Sequence, residues 1–273
     1  MSPSGARRHL GVLLRYDLKY GLTSPRGLLF VVFYALVWSW ILWKLAKGAA
    51  EVVRNPEASL FLSYFLDDSL MRLFRERAPT LAGYFVVAVT LTPLFAMIGG
   101  CDQTATDLGT KHLRFLIPRV GRQEIYLARF LGAIVLVCAS QIAVGGAATL
   151  ITLFVDRGEP GHVLLFGAQA ILLVTAYSIP FVAFMAFMTA SMASAGLAAL
   201  VGIGGYCLFI ILVYMLKGQW SGAEIFGYLM PSGLKASILQ PDIGRALLAL
   251  LGVIPYTLAF FALGWQVFKT RDA

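Results

Sequence analysis

Five stretches of the chain run without a single Asp, Glu, Lys or Arg: Gly27 to Trp43, Ala78 to Cys101, Phe130 to Val155, Pro160 to Leu216 and Ala246 to Phe268. A helix needs about 20 apolar residues to cross a hydrocarbon core, and roughly 17 suffice for a short span. Pro160 to Leu216 has 57 residues, too many for one crossing and enough for two. The small and polar residues of "ASMASAG", Ala190 to Gly196, mark its fold-back. The pattern therefore predicts an all-α membrane protein with six transmembrane helices in one domain over residues 1–273. The spans fall at about 27–45, 79–101, 128–155, 163–190, 196–216 and 246–268, which leaves both termini on one side.

Two charged flanks carry a helical period. In "RRHLGVLLRYDLKYGL", Arg7 to Leu22, Leu10, Leu13, Leu14 and Leu18 share a face while Arg8, Arg15 and Lys19 lie elsewhere, which suits an N-terminal interfacial helix. In "LFLSYFLDDSLMRLFRER", Leu60 to Arg77, the residues Leu62, Phe65, Leu66, Leu70, Leu73 and Phe74 recur near 3.6 and predict a second amphipathic helix.

Composition supports the membrane class, since 59% of the 273 residues are hydrophobic and only 13% charged, against about 25% charged in a soluble domain. The net charge of +8 does not point to nucleic acid, because the basic residues border the apolar runs and form no polar face with interleaved aromatics. It reports topology. One side carries five Lys and Arg in residues 1–26, five in 102–129 and two after Phe268; the other carries six in 44–77, one in 156–159 and three between Lys217 and Arg245. The N-terminal segment and the 102–129 loop are hardly offset by acids, which assigns both termini to the cytoplasm. Gly27 to Trp43 exceeds a signal-peptide core of about 7 to 15 residues and no small-residue cleavage site follows, so it reads as a first span. A twin-arginine signal is excluded because a charged amphipathic segment follows Arg7 and Arg8.

Catalytic and metal chemistry is sparse. Cys101, Cys138 and Cys207 lie in apolar runs with no C-x-x-C spacing, and His9, His112 and His162 are far apart. No H-E-x-x-H or G-x-S-x-G occurs. The runs from 130 onward lack the intramembrane charges that proton relays use, although a sodium site can be built from carbonyls and hydroxyls at broken helices. Met185, Met188 and Met192 recur at helical spacing, which suits adaptable packing better than a soft-metal path. Pro180 and the "GIGG" glycines, Gly202 to Gly205, read as a kink and close helix contacts, and Ala198 with Gly202 has small-xxx-small spacing. No G-x-x-x-x-G-K-[ST] is present, so the chain has no ATPase motif of its own.

One of the densest basic segments, "DLGTKHLRFLIPRVGRQEI", lies between the second and third spans. Leu113, Leu116 and Ile117 share a helical face, Lys111 and Arg114 lie off it, and Pro118 ends the turn. Such a helix either docks a partner or lies on lipid headgroups, and the residues leave both open.

"TDLGTKHLRFLIPRVGRQEIYLARFLGAIV" resembles the corresponding loop of ABC-type exporter permeases of the type-2 membrane-domain family. The resemblance rests on Asp107, Gly109, Thr110, Leu113, Leu116, Pro118, Arg122, Glu124, Ile125 and Arg129. It extends to the interfacial N-terminal helix, the six spans, and "IFGYLMPSGLKASIL", which is similar to the family's short helices re-entering the outer leaflet. The sequence departs from the family where "QTATDLG" replaces a longer charged cluster and where Ala128-Arg129 replaces Gly-Lys.

The resemblance implies a coupling helix in this loop that fits a groove on a separate ATPase. Asp107, Gly109, Thr110, Lys111, Leu113, Arg114, Leu116, Ile117, Pro118, Arg122 and Glu124 would form the coupling loop. It further implies two ATPase copies, a second permease copy or paralogue, ATP and magnesium held by the ATPase, and a place in a bacterial cytoplasmic membrane. Two other functions fit the residues: an ion-coupled secondary transporter or channel, and a membrane anchor recruiting a partner that is not an ATPase. Apolar spans suit lipid-like, peptide or amphiphilic cargo, and equally a polymer passing along a dimer interface.

Overall fold

The computed structural model describes residues 11–15, 19, 24–54, 68–111, 113–117, 120–156, 159–220, 222, 224–240 and 242–271. Among these there is no strand. The helices are α1 (Pro25–Arg54), α2 (Asp68–Glu76), α3 (Pro79–Gly99), α4 (Ala105–Gly109), α5 (Leu113–Leu116), α6 (Arg122–Val155), α7 (Pro160–Ser191), α8 (Ala195–Gln219), α9 (Glu224–Gly227), α10 (Lys235–Ile238), α11 (Ile243–Leu251) and α12 (Val253–Thr270), with a 3-10 turn at Pro231–Leu234. Six segments are long and apolar enough to cross a bilayer: Gly27–Gly48, Pro79–Gly99, Arg122–Val155, Pro160–Ser191, Ala195–Gln219 and Gly244–Thr270.

Helix α7 is the centre. It packs on α3, α6, α8 and α12, and it and α3 are the two spans buried over most of their apolar length. Helix α1 shows how the rest attach. Phe30, Tyr34, Trp38 and Leu42 recur every four residues on one buried stripe, while Leu29, Leu36 and Trp40 face outward. The Tyr34 ring meets Phe95 edge-on at 4.8 Å and Trp38 meets Tyr84 at 5.4 Å, which fixes α1 against α3. Where helix backbones come close, glycine makes room: a Cβ on Gly264 of α12 would sit 2.9 Å from the Phe187 Cα of α7.

Several polar side chains inside the bundle pair across helices. The Tyr34 hydroxyl donates to Gln141 Oε1 at 3.0 Å, and Gln141 Nε2 donates to Thr92 Oγ1 at 3.3 Å, joining α1, α6 and α3. Asp156, at the end of α6, accepts from the backbone N–H and hydroxyl of Thr80 at 2.9 and 2.7 Å. A carboxylate there satisfies an orphan donor in the first turn of α3 and complements its dipole.

The α7–α8 fold-back falls where the small residues predict it, with α7 ending at Ser191 and Ser194 preceding α8. The last span differs from the uninterrupted run that its composition predicts, because it breaks at Gly252. Pro255 explains the break, since its ring has no N–H to donate and clashes with the carbonyl four residues earlier, at Leu251. Of the interfacial helix expected over 7–22, residues 11–15 are helical and most others lie outside the described residues. Of the second amphipathic segment, α2 is described; Leu73 is buried and Phe74 packs on the core. Leu62, Phe65 and Leu66 lie outside the described residues.

Candidate functional site

The bundle has two ends. One carries the α7–α8 fold-back, residues 100–121 and the end of α12; the other carries the 156–159 turn and the 224–242 segment. The first end gathers the residues that the sequence singles out.

The 100–121 connection begins by burying polar side chains. Gln103 Nε2 donates to the carbonyls of Gly100 and Val182 at 3.1 and 3.0 Å, and the Thr104 hydroxyl donates to that of Thr189 at 3.2 Å. All three side chains are buried, so the loop starts from a fixed point on α7. Helix α4 then packs on α7 and α8. Gly109 ends it against the fold-back, so closely that a Cβ would overlap the Ala193 carbonyl oxygen. Lys111 follows with φ 56°, a left-handed residue that reverses the chain after α4. Thr110, immediately before it, donates its hydroxyl to the Thr106 carbonyl at 2.8 Å.

Helix α5 is a single turn, shorter than the Lys111 to Ile117 segment that the sequence suggests. Phe115 on it is 74% exposed, an uncommon position for an aromatic ring beside exposed Lys111 and Arg114. Ile117 and Val120 turn the other way and pack against the core. The side chains of Leu113 and Leu116, and Pro118 entirely, lie outside the described residues.

Helix α6 begins at Arg122, with Glu124 in its first turn, where negative charge suits the helix dipole. Two arginines bind this helix to its surroundings. Arg129 makes a two-nitrogen contact with Asp107 Oδ2, at 2.9 Å from Nε and 2.8 Å from Nη2, joining α6 to α4. Both side chains are mostly buried, so this pair is less screened than a surface pair. Arg122 Nη1 donates to the carbonyls of Lys269 and Arg271 at 3.0 and 2.6 Å, capping the end of α12. Arg271 donates in turn to the Ser191 carbonyl at the end of α7. Behind these contacts Tyr126 stacks on Phe268 at 5.4 Å and meets Phe261 at 5.0 Å.

The exposed turn therefore lies between fixed flanks: the segment leading into α4 is tied to α7 through Gln103 and Thr104, α4 to α6 through Asp107–Arg129, and the start of α6 to α12 through Arg122. Asp107, Gly109, Thr110, Arg122 and Glu124 come together at this end, with Lys111 and Arg114 at its rim. Gln103, Thr104, Phe115 and Arg271 are additional members that sequence reasoning does not single out. Among the described residues no three His, Cys, Asp or Glu side chains are grouped to hold a metal ion. His162 faces Glu159 at 3.6 Å on an exposed helix start, and Met185 and Met188 pack against Gly202.

No curated protein matches the chain. Residues 76–273 match the family described as "Protein of unknown function (DUF2705)". The match takes in the whole 100–121 connection and five of the six apolar spans, and on that extent the chain belongs to the DUF2705 family.

Proposed function

We propose that this protein is the membrane-spanning permease subunit of an ATP-driven ABC exporter, coupled to a separate ATPase. The observation that supports this reading best is that the exposed Lys111–Phe115 turn is held between flanks fixed to three helices, to α7 through Gln103 and Thr104, to α6 through Asp107–Arg129, and to α12 through Arg122 at the start of α6. A loop that only connected two spans would gain nothing from being fixed to three. A loop that receives force from a partner needs that attachment, because coupling travels through packed and hydrogen-bonded elements with few alternative arrangements.

In this scheme two ATPase subunits bind and hydrolyse ATP with magnesium. Each presents a groove to the turn of one permease, and a second permease copy or paralogue completes the assembly. ATPase closure pushes on Phe115 and its basic neighbours, and the push passes through α4 and α6 into α7 and α12. Both termini and the 100–121 connection face the cytoplasm of a bacterial cell.

Phe115→Asp is the direct test, since a carboxylate in place of the exposed ring should weaken a desolvated contact without disturbing the core. Wild-type protein purified from its native membrane should bring down an ATPase, whereas the variant should insert equally well and lose most of it, a drop of at least about tenfold for a lost aromatic anchor. Co-elution unchanged by Phe115→Asp would overturn the assignment of this turn. Ion-gradient-driven transport by the chain alone would favour the secondary-transporter alternative, and a partner without ATPase activity would favour the anchor.

A further inference from the structure

At the opposite end of the bundle a cleft of ≈ 590 Å³ opens between α3, α7, α8 and the 224–239 segment. Its charge is one-sided. Lys217 and Lys235 line it and no Asp or Glu does. Lys235 is half-buried, on a short helix folded onto the ends of the spans, and burial pushes its ammonium below the ordinary lysine pKa because no anion compensates the lost water. Phe209, Ile210 and Val213 supply an apolar wall along α8. Tyr177 lines the cleft from α7, fully buried, and its hydroxyl has no hydrogen-bond partner among the described residues.

These features have an order along the bundle. Eleven residues separate Tyr206, which also lines the cleft, from Lys217 on the same helix, and at 1.5 Å per residue that is about 16 Å. A cation thus stands at one end of an apolar groove that reaches in to the level of two tyrosines. The groove is open sideways as well, since Ile210 is 41% exposed and Tyr214 80% exposed on a helix whose other outward residues include Leu208, Ile211 and Leu212. A molecule could enter it from the hydrocarbon layer without passing through water.

We propose that this cleft is a binding site for one acidic phospholipid of the surrounding bilayer, with its anionic headgroup against Lys235 and Lys217 and an acyl chain along Phe209, Ile210 and Val213. The Tyr177 hydroxyl then offers a donor to an ester oxygen. A small anion would use the lysines and leave the apolar wall exposed, whereas a neutral lipid would leave a half-buried ammonium uncompensated. The site does not depend on the permease assignment.

The test uses the full chain, reconstituted in vesicles of phosphatidylglycerol and phosphatidylcholine in equal parts, extracted in mild detergent and weighed by native mass spectrometry. Wild-type protein should retain one phosphatidylglycerol in preference to phosphatidylcholine. Lys235→Gln should lower that retention roughly fivefold, the worth of one lysine near an anionic headgroup. Ile210→Trp fills the groove and leaves both charges, and should lower it as well; Arg245→Gln, outside the cleft, should not. Equal retention of both lipids, unchanged retention in both cleft variants, or displacement of the lipid by added inorganic phosphate would each overturn the proposal.

Discussion

Gly109 is the residue on which the geometry of the loop end is least negotiable. Its neighbour is a backbone carbonyl, that of Ala193, standing where a Cβ would need room, and a carbonyl cannot rotate away as the tip of a side chain can. Gly109→Ala should therefore move α4 off the α7–α8 fold-back at a cost of about 1–3 kcal/mol, the usual range for overpacking. Thermal unfolding in detergent should show a clear loss, while Gly146→Ala, where a Cβ would meet nothing within 4 Å, should be close to neutral. An equal melting temperature for Gly109→Ala and wild type would show that α4 does not need this contact. The sequence offers Gly109 only through a resemblance, because a glycine after a short polar helix looks the same whether it ends the helix or admits another backbone.

Among the elements, α4 and α6 depend on each other through the Asp107–Arg129 pair. Arg129→Met leaves the Asp107 carboxylate mostly buried without its arginine, and such half-pairs cost more than removal of both charges. Hydrogen exchange of the 105–109 amides should speed up in Arg129→Met and recover in the Asp107→Leu, Arg129→Met double variant. Equal exchange in the single variant would mean that packing alone holds α4. The existence of these elements was legible to different degrees. Six spans show in the sequence because an uninterrupted apolar helix of that length is seldom stable outside a bilayer, and the α7–α8 fold-back shows because Ala, Ser and Gly interrupt it. The break at Gly252 is masked by the apolar run around it, although Pro255 carries the signal. Pairings such as Asp107 with Arg129, or Tyr34 with Gln141 and Thr92, are fixed by how helices pack and leave no trace in local spacing.

For the whole molecule, the two ends of the bundle make orientation testable with one pair of probes. In a background with Cys101, Cys138 and Cys207 replaced by Ser, Phe115→Cys and Gly161→Cys place one thiol at each end, both at exposed positions. A membrane-impermeant maleimide should label the Gly161→Cys protein in intact cells and the Phe115→Cys protein only after the membrane is opened. The reverse pattern would invert the orientation and place the 100–121 connection outside the cell. Charge counts alone favour this orientation narrowly, twelve Lys and Arg against ten. The proposed coupling role requires the same orientation, because the turn would then have to lie where ATP is.

Helix α7 meets α12 along the most extensive helix contact in the bundle, closed by Gly264 against Phe187 and by Phe184 against Phe260 at 5.2 Å. The ribosome, however, delivers α12 only after the other five spans. During synthesis the central helix must wait in the bilayer, or beside an insertion factor, with its principal partner not yet made. A nascent chain halted at Gly252 would hold five inserted spans around an unclosed seam, and a membrane protease would meet an unfinished bundle instead of a folded protein.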